Sequence, residues 1–199
     1  MIQVCARNID DVWFGLACAE PQVFATSFGE SEQEVLGNLL DSLPFNVPFQ
    51  VYSAPLPFAK NALSSLKTIY DGEEKSFHFN LAVEHLPIYT QRALKATRQI
   101  PAGYVTSYNS IAKVVGGGPR AVGNVMANNA FAPLVPCHRV VKSDFTLGGY
   151  GGGLKVKYQL LCREKRGFTA EDTVDVEGKE MSIYPVEFAL KKLDSIFSR

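Results

Sequence analysis

Residues 106–129 read TSYNSIAKVVGGGPRAVGNVMANN, and this run decides the fold of the second half of the chain. Thr106 or Ser107 offers a hydroxyl to cap a helix whose apolar positions Tyr108, Ile111, Ala112 and Val115 recur at i, i+3, i+4 and i+7. Gly116-Gly117-Gly118 makes a turn. Pro119 then suits the first position of a second helix, where its φ is already helical and its missing N–H is not needed. In that helix Val122, Val125, Met126 and Asn129 share the inward side, and Arg120, Gly123, Asn124 and Ala127 the outward one. Two short helices joined by a glycine turn read as a helix-turn-helix. The outward face is small apart from Arg120. It suits close approach to a nucleic-acid groove with one Arg projecting, or equally close packing against another backbone, and these features alone leave both open.

Upstream, Leu86–Gln99 reads as a basic helix stopped by Pro101 and Gly103. The first 30 residues alternate apolar and polar patches between turn-forming pairs, which predicts a small antiparallel meander. Ser31 through Leu43 reads as a helix with Ser31 as N-cap and Glu34 closing a capping box. A proline-rich connection (Pro44, Pro48, Pro55, Pro57) leads to a helix over Phe58–Asp71, with Leu63, Leu66 and Tyr70 on one face and Gly72 past its end. Short extended pieces at Phe77-His78-Phe79 and Leu81-Ala82-Val83 precede a boundary near residue 85. Downstream, Leu154–Arg166 is helical and ends at Gly167. Glu164 lies three and four residues from Leu161 and Leu160, so its carboxylate leans toward the buried stripe, where such a group needs a partner. A terminal helix is expected from Pro185 to Phe197.

The whole chain, 199 residues with 46% hydrophobic and 20% charged, has the composition of an ordinary globular protein. No run of about 18 apolar residues is present, and the acidic start MIQVCARNIDDVW is unlike a signal peptide. A location inside the cell, away from membranes, is therefore expected, with reduced thiols. The four cysteines (Cys5, Cys18, Cys137, Cys162) form no CxxC pair, and the three histidines (His78, His85, His138) no zinc pattern. The net charge of zero hides an asymmetry: residues 1–91 carry −7, residues 92–166 carry +10 and residues 167–199 carry −3. A basic middle between acidic ends fits a polyanion-binding module, although a solvated basic face would look the same.

Residues 134–141, LVPCHRVV, set a thiol beside an imidazole and a guanidinium in an apolar, strand-like context. A thiolate is the nucleophilic form of cysteine, and basic or cationic neighbours favour it. Pro136 forces the strand to end or turn, which can bring Cys137 and His138 into one pocket; in a regular strand they would point to opposite faces. An isolated Cys-His pair is weak evidence.

The wider pattern is more specific. RAVGNVMANNAFAPLVPCHRVV followed by LGGYGGGLKVKYQLLCRE resembles the catalytic half of the O6-alkylguanine-DNA alkyltransferases, over roughly residues 86–167. ALSSLKTIYDGEEKSFHFNL more loosely resembles that family's linker helix and strand. The resemblance implies an α/β, ribonuclease-H-like N-terminal domain (residues 1–85, supporting) and a mainly α, winged helix-turn-helix domain (residues 86–170, DNA-binding and catalytic), followed by a C-terminal extension (171–199) of unassigned role. It implies that Cys137 accepts the alkyl group, His138 takes the thiol proton through a water, Glu164 orients that imidazole and Asn129 braces the turn. Tyr108 would rotate the nucleotide's phosphate and donate a proton toward guanine N3. Arg120 would fill the stack where the base leaves, with Ala121, Gly123, Ser107 and Arg139 also on the DNA. Val140, Tyr150 and Gly151 to Gly153 would line the base pocket.

The same resemblance implies a single-turnover SN2 transfer from duplex DNA carrying O6-alkylguanine, by a monomer, in the cytoplasm or a nucleus. No metal or organic cofactor is implied. Some family members bind zinc in the N-terminal half, but Cys5, Cys18 and His85 are too scattered to predict it. The chain departs from the family's pattern at Ala130, where proline is usual, and at Asn128 and Phe145, where glycine is common. A non-enzymatic lesion sensor is the main alternative, disfavoured because such proteins lack the reactive cysteine. A Cys-His hydrolase would need an oxyanion site that nothing marks.

Overall fold

The computed structural model describes residues 1–73 and 78–197, so Phe77 of the expected extended piece lies outside the described residues. The chain forms two compact units. The first gathers Met1–Tyr70, the stretch ending at Leu86, and Ala130–Leu134; the second gathers Pro87–Asn129 and Val135–Arg199, with a few residues after Tyr70.

The first unit begins with the antiparallel meander β1 (Ile2–Ile9), β2 (Val12–Ala19) and β3 (Gln22–Gly29). Asp10 and Asp11 turn the first hairpin with φ of 50° and 64°, the left-handed pair a two-residue hairpin needs and a short acidic side chain tolerates. Helix α1 (Glu32–Asp41) is capped by the Ser31 hydroxyl, which accepts the Glu34 N–H at 3.2 Å. The Glu34 carboxylate reaches past Ser31 to the Glu30 N–H at 3.0 Å, so the capping box closes one residue further out than expected. Strand β4 (Phe49–Val51), helix α2 (Pro57–Tyr70) and strand β5 (Asn80–Leu81) complete a mixed sheet in the order β4-β1-β2-β3-β5. Phe14 through Cys18 are buried without a break because both faces of β2 are covered. On one face α1 comes so close that a Cβ at Gly15 would lie 2.3 Å from Val35 Cγ1. On the other, Phe14 meets Tyr70 of α2 edge-on at 5.4 Å. Thr26 of β3 donates its N–H to Ala130 C=O and its hydroxyl to Ala132 C=O, both at 2.8 Å, which ties Ala130–Leu134 into this unit.

In chain order the second unit contains α3 (Ile88–Arg98), β6 (Tyr104–Ser107), α4 (Tyr108–Val115), α5 (Pro119–Ala127) and β7 (Val140–Val141). After these come α6 (Leu154–Arg163), β8 (Asp172–Val176), β9 (Lys179–Pro185) and α7 (Val186–Phe197). The Ser107 hydroxyl caps α4 by accepting the Ser110 N–H at 2.9 Å. Helix α4 buries Ile111, Ala112 and Val114, whereas Val115, expected in the stripe, is only half-buried at the helix end. Residues 172–197 do more than end in a helix. Strand β9 pairs with β6 in a sheet ordered β7-β6-β9-β8, and α7 packs Val186, Ala189, Leu190 and Leu193 against Val105, Val141, Leu147 and Leu161. No helix among the described residues is long and apolar enough to cross a membrane.

Candidate active site

Pro136, with φ −78° and ψ 65°, sits at the centre of an inverse γ-turn closed by the Cys137 N–H donating to Val135 C=O at 2.8 Å. A 3-10 turn, Cys137–Arg139, follows directly. The chain therefore leaves strand geometry at the position the proline marks, and Cys137, His138 and Arg139 all point inward, at 4%, 0% and 8% exposure. Asn129, just past α5, donates its side-chain amide to Val135 C=O at 2.9 Å and so braces the turn. Burial raises the Cys137 thiol, while a hydrogen bond from Asn129 and the Lys157 charge pull it back down. The resting sulfur is a neutral, shielded thiol with cationic help close by.

His138 Nε2 lies 2.9 Å from Glu164 Oε1. Burial alone would raise the Glu164 carboxyl, but Arg139 and His138 beside it hold it at about 2. An ionised carboxylate only accepts, so Nε2 must carry the proton, and Nδ1 keeps its lone pair. Nδ1 is buried and has no hydrogen-bond partner among the described residues. Burial also lowers the His138 pKa, so the ring is neutral and basic at Nδ1. Arg139 completes the cluster. Its Nε and Nη2 donate to Glu164 at 2.8–3.0 Å, and Nη1 donates to Ile100 C=O at 2.6 Å.

Lys157, absent from the sequence-based expectations, is fully buried on α6. Its ammonium donates to Val140 C=O at 2.6 Å, Leu147 C=O at 2.5 Å and Gly149 C=O at 3.3 Å, and stands 5.8 Å from the centre of the Tyr108 ring. Burial brings its pKa down to about 8, against the opposing pull of Cys137. One signal was available: Lys157 precedes Leu160 and Leu161 by three and four residues, the same stripe that singled out Glu164. Lys157 joins Val140, which is fully buried and was expected to line the base pocket, to the glycine loop. Tyr108 donates its hydroxyl to Gly149 C=O at a long 3.4 Å, and burial raises its pKa, so it stays protonated. Gly148 has φ of 66°, and a Cβ there would stand 2.7 Å from the Tyr108 ring; only glycine fits. Half-buried Tyr150 and exposed Gly151, Gly152 and Gly153 continue the loop into α6.

Arg120 is exposed on α5, and Ala121 and Gly123 are half-buried there. Two residues expected on the DNA are placed otherwise. Arg139 is committed to the buried pair with Glu164, because a guanidinium fork matches a carboxylate there. Ser107 is 8% exposed and uses its hydroxyl as the α4 cap. Among the described residues no group of three or more His, Cys, Asp and Glu is placed to hold a metal ion. Burial pushes the Cys5 and Cys18 thiols up to about 11 and 12, and both are unreactive core residues.

Residues 89–166, which hold every group of this cluster, match the family described as 6-O-methylguanine DNA methyltransferase, DNA binding domain. A methylated-DNA–protein-cysteine methyltransferase of Pyrobaculum aerophilum is 58% identical over 65 residues, 33% of this chain and 44% of that protein's own length. The like-named protein of Mycobacterium bovis is 37% identical over 130 residues, 64% of this chain and 78% of its own. The solved structure of Mycobacterium tuberculosis OGT in complex with DNA superposes with a TM-score of 0.64 at 25% identity, covering 81% of this chain and 92% of that one. With the thiol, imidazole and carboxylate assembled inside the matched segment, and with identity of this extent, the chain belongs to the methylated-DNA–protein-cysteine methyltransferase family.

Proposed function

We propose that this protein repairs DNA by moving the alkyl group of O6-alkylguanine onto Cys137 Sγ, once per molecule. The observation that carries this is that Cys137 and its neighbour His138 are both buried, with the His138 Nδ1 lone pair unpartnered among the described residues and the ionised Glu164 against Nε2. A base inside a duplex cannot reach the sulfur of a residue that is only 4% exposed, so the lesion is flipped out, at an unstacking cost of about a few kcal/mol. The exposed Arg120 on the small face of α5 fills the gap, and the helix-turn-helix of α4 and α5 lies in the groove. His138 takes the thiol proton through a water, and Glu164 and Lys157 stabilise the charges that form. The S–C bond forms as the bond from the alkyl carbon to O6 breaks. Tyr108 gives its proton toward guanine N3 and regains one from solvent as His138 releases the thiol's proton, so in balance the guanine gains one proton in place of its alkyl group.

The finer architecture follows the same line. Residues 1–85 are the supporting, ribonuclease-H-like domain and residues 86–170 the winged helix-turn-helix that reads DNA, acting as a monomer wherever the genome lies. The decisive test is intact mass after incubation with duplex DNA bearing one O6-methylguanine. The expected result is a stoichiometric gain of one methyl group, absent in Cys137→Ser. Tight lesion-selective binding with no mass gain would make the protein a lesion sensor instead.

A further inference from the structure

Glu187 lies outside residues 89–166 of the family match, in the first turn of α7, yet it is bonded to the chain just beyond Glu164. Its Oε1 accepts the backbone N–H of Arg166 at 3.0 Å and of Gly167 at 2.5 Å. These are the residues two and three beyond Glu164, where α6 has ended and the chain has no helical bonds of its own to hold it. The neighbouring Val186 donates its N–H to Gly103 C=O at 2.9 Å, and the Gly103 N–H in turn points at Glu164 Oε2 from 3.5 Å. The start of α7 therefore grips both flanks of the carboxylate that orients His138. One side-chain oxygen accepting two adjacent N–H groups fixes the orientation of the peptide between them.

We infer that Glu187 is a positioning residue for alkyl transfer: by clamping the Arg166–Gly167 backbone it holds Glu164 at hydrogen-bond distance from His138 Nε2. This rests on Cys137 being the alkyl acceptor. Without the clamp Glu164 loses its fixed register, His138 is less often in the tautomer with Nδ1 free, and the pKa-raising contact from Glu164 weakens. The rate constant falls, and the acid limb of its pH profile moves to lower pH because burial of His138 is then less opposed.

The single-turnover reaction separates positioning from folding. The final methylated fraction by intact mass counts competent molecules, while the rate constant reports how well each performs. With O6-methylguanine duplex and the full chain, Glu187→Ala is expected to reach the same final fraction roughly tenfold or more slowly, with the acid limb shifted. Glu187→Gln keeps an amide oxygen as acceptor for both N–H groups and is expected to stay within about threefold of the parent with an unshifted profile. A Glu187→Ala chain with the parental rate constant and a lower methylated fraction would overturn the proposal, leaving Glu187 a stability residue. So would Glu187→Gln behaving like Glu187→Ala, the sign of a requirement for the negative charge rather than for an acceptor. If the parent chain itself gains no methyl mass, the assignment of Cys137 fails first, independently of Glu187.

Discussion

Arg139 and Arg120 stand nineteen residues apart in the basic middle of the chain, and only their burial separates their roles. Removing Arg139 leaves the Glu164 carboxylate at 1% exposure with no cation of its own, facing a neutral imidazole and the distant Gly103 N–H. Arg139→Met is expected to lose about 3 kcal/mol or more of stability, read as a drop in the urea midpoint. Arg120→Ala is expected to leave the stability within about 0.5 kcal/mol and to slow transfer from duplex DNA roughly tenfold, while transfer from the free O6-alkylguanine base is unchanged. The free base needs no duplex opened, so it isolates the flipping step. The Glu164 carboxyl also sets a pH dependence. Its folded value of about 2 lies below the ordinary 4.5, so the stability it contributes is complete above pH 4.5 and is lost as pH falls toward 2. The unfolding free energy from urea titration should fall across that window by on the order of 3 kcal/mol, and Glu164→Gln, weaker at pH 6, should show a smaller fall. Of this cluster, residue type drew attention to Cys137 and His138 and spacing to Glu164, and the family resemblance joined the three. The pairing of Arg139 with Glu164 was missed, because a charged residue in a basic segment looks solvated until the fold buries it.

At the scale of elements, the turn between β7 and α6 shows what local reading leaves out. Phe145 adopts φ of 65°, where glycine is the easy choice, and the strain has a visible compensation. Its ring packs edge-on against Tyr184 of β9 at 5.2 Å and Phe188 of α7 at 5.7 Å. Relieving the left-handed backbone recovers about 1–2 kcal/mol. Losing two aromatic contacts and the burial of a phenyl ring costs about 3 kcal/mol or more. Phe145→Gly is therefore expected to lower thermal stability, by about 2 kcal/mol net, in a melting experiment. The departure at 145 is intelligible only with the residues beyond 170, forty positions away, and no local window contains both. Helices and the meander were legible because caps, prolines and apolar spacing act within a few residues. The β6–β9 pairing was not, because it joins segments about 80 residues apart.

At the scale of the molecule, residues 172–197 supply half of the apolar cluster that includes Val105 and Leu161. Burial of Val186, Leu190 and Leu193 is worth on the order of 6 kcal/mol, against a total stability of about 5–15 kcal/mol for a domain. A chain ending at Ala170 also leaves the edge of β6 bare, and its second unit is expected to lose its cooperative thermal transition. Near-ultraviolet circular dichroism and a temperature scan would check this. The glycine loop has the opposite character. A Cβ added at Gly149 or Gly151 meets nothing within 4 Å, whereas Glu164 is bound by imidazole, guanidinium and backbone at once. Directed evolution of this protein toward bulkier adducts thus has freedom at those two loop positions and almost none around the carboxylate, where any innovation would first have to survive its own misfolding.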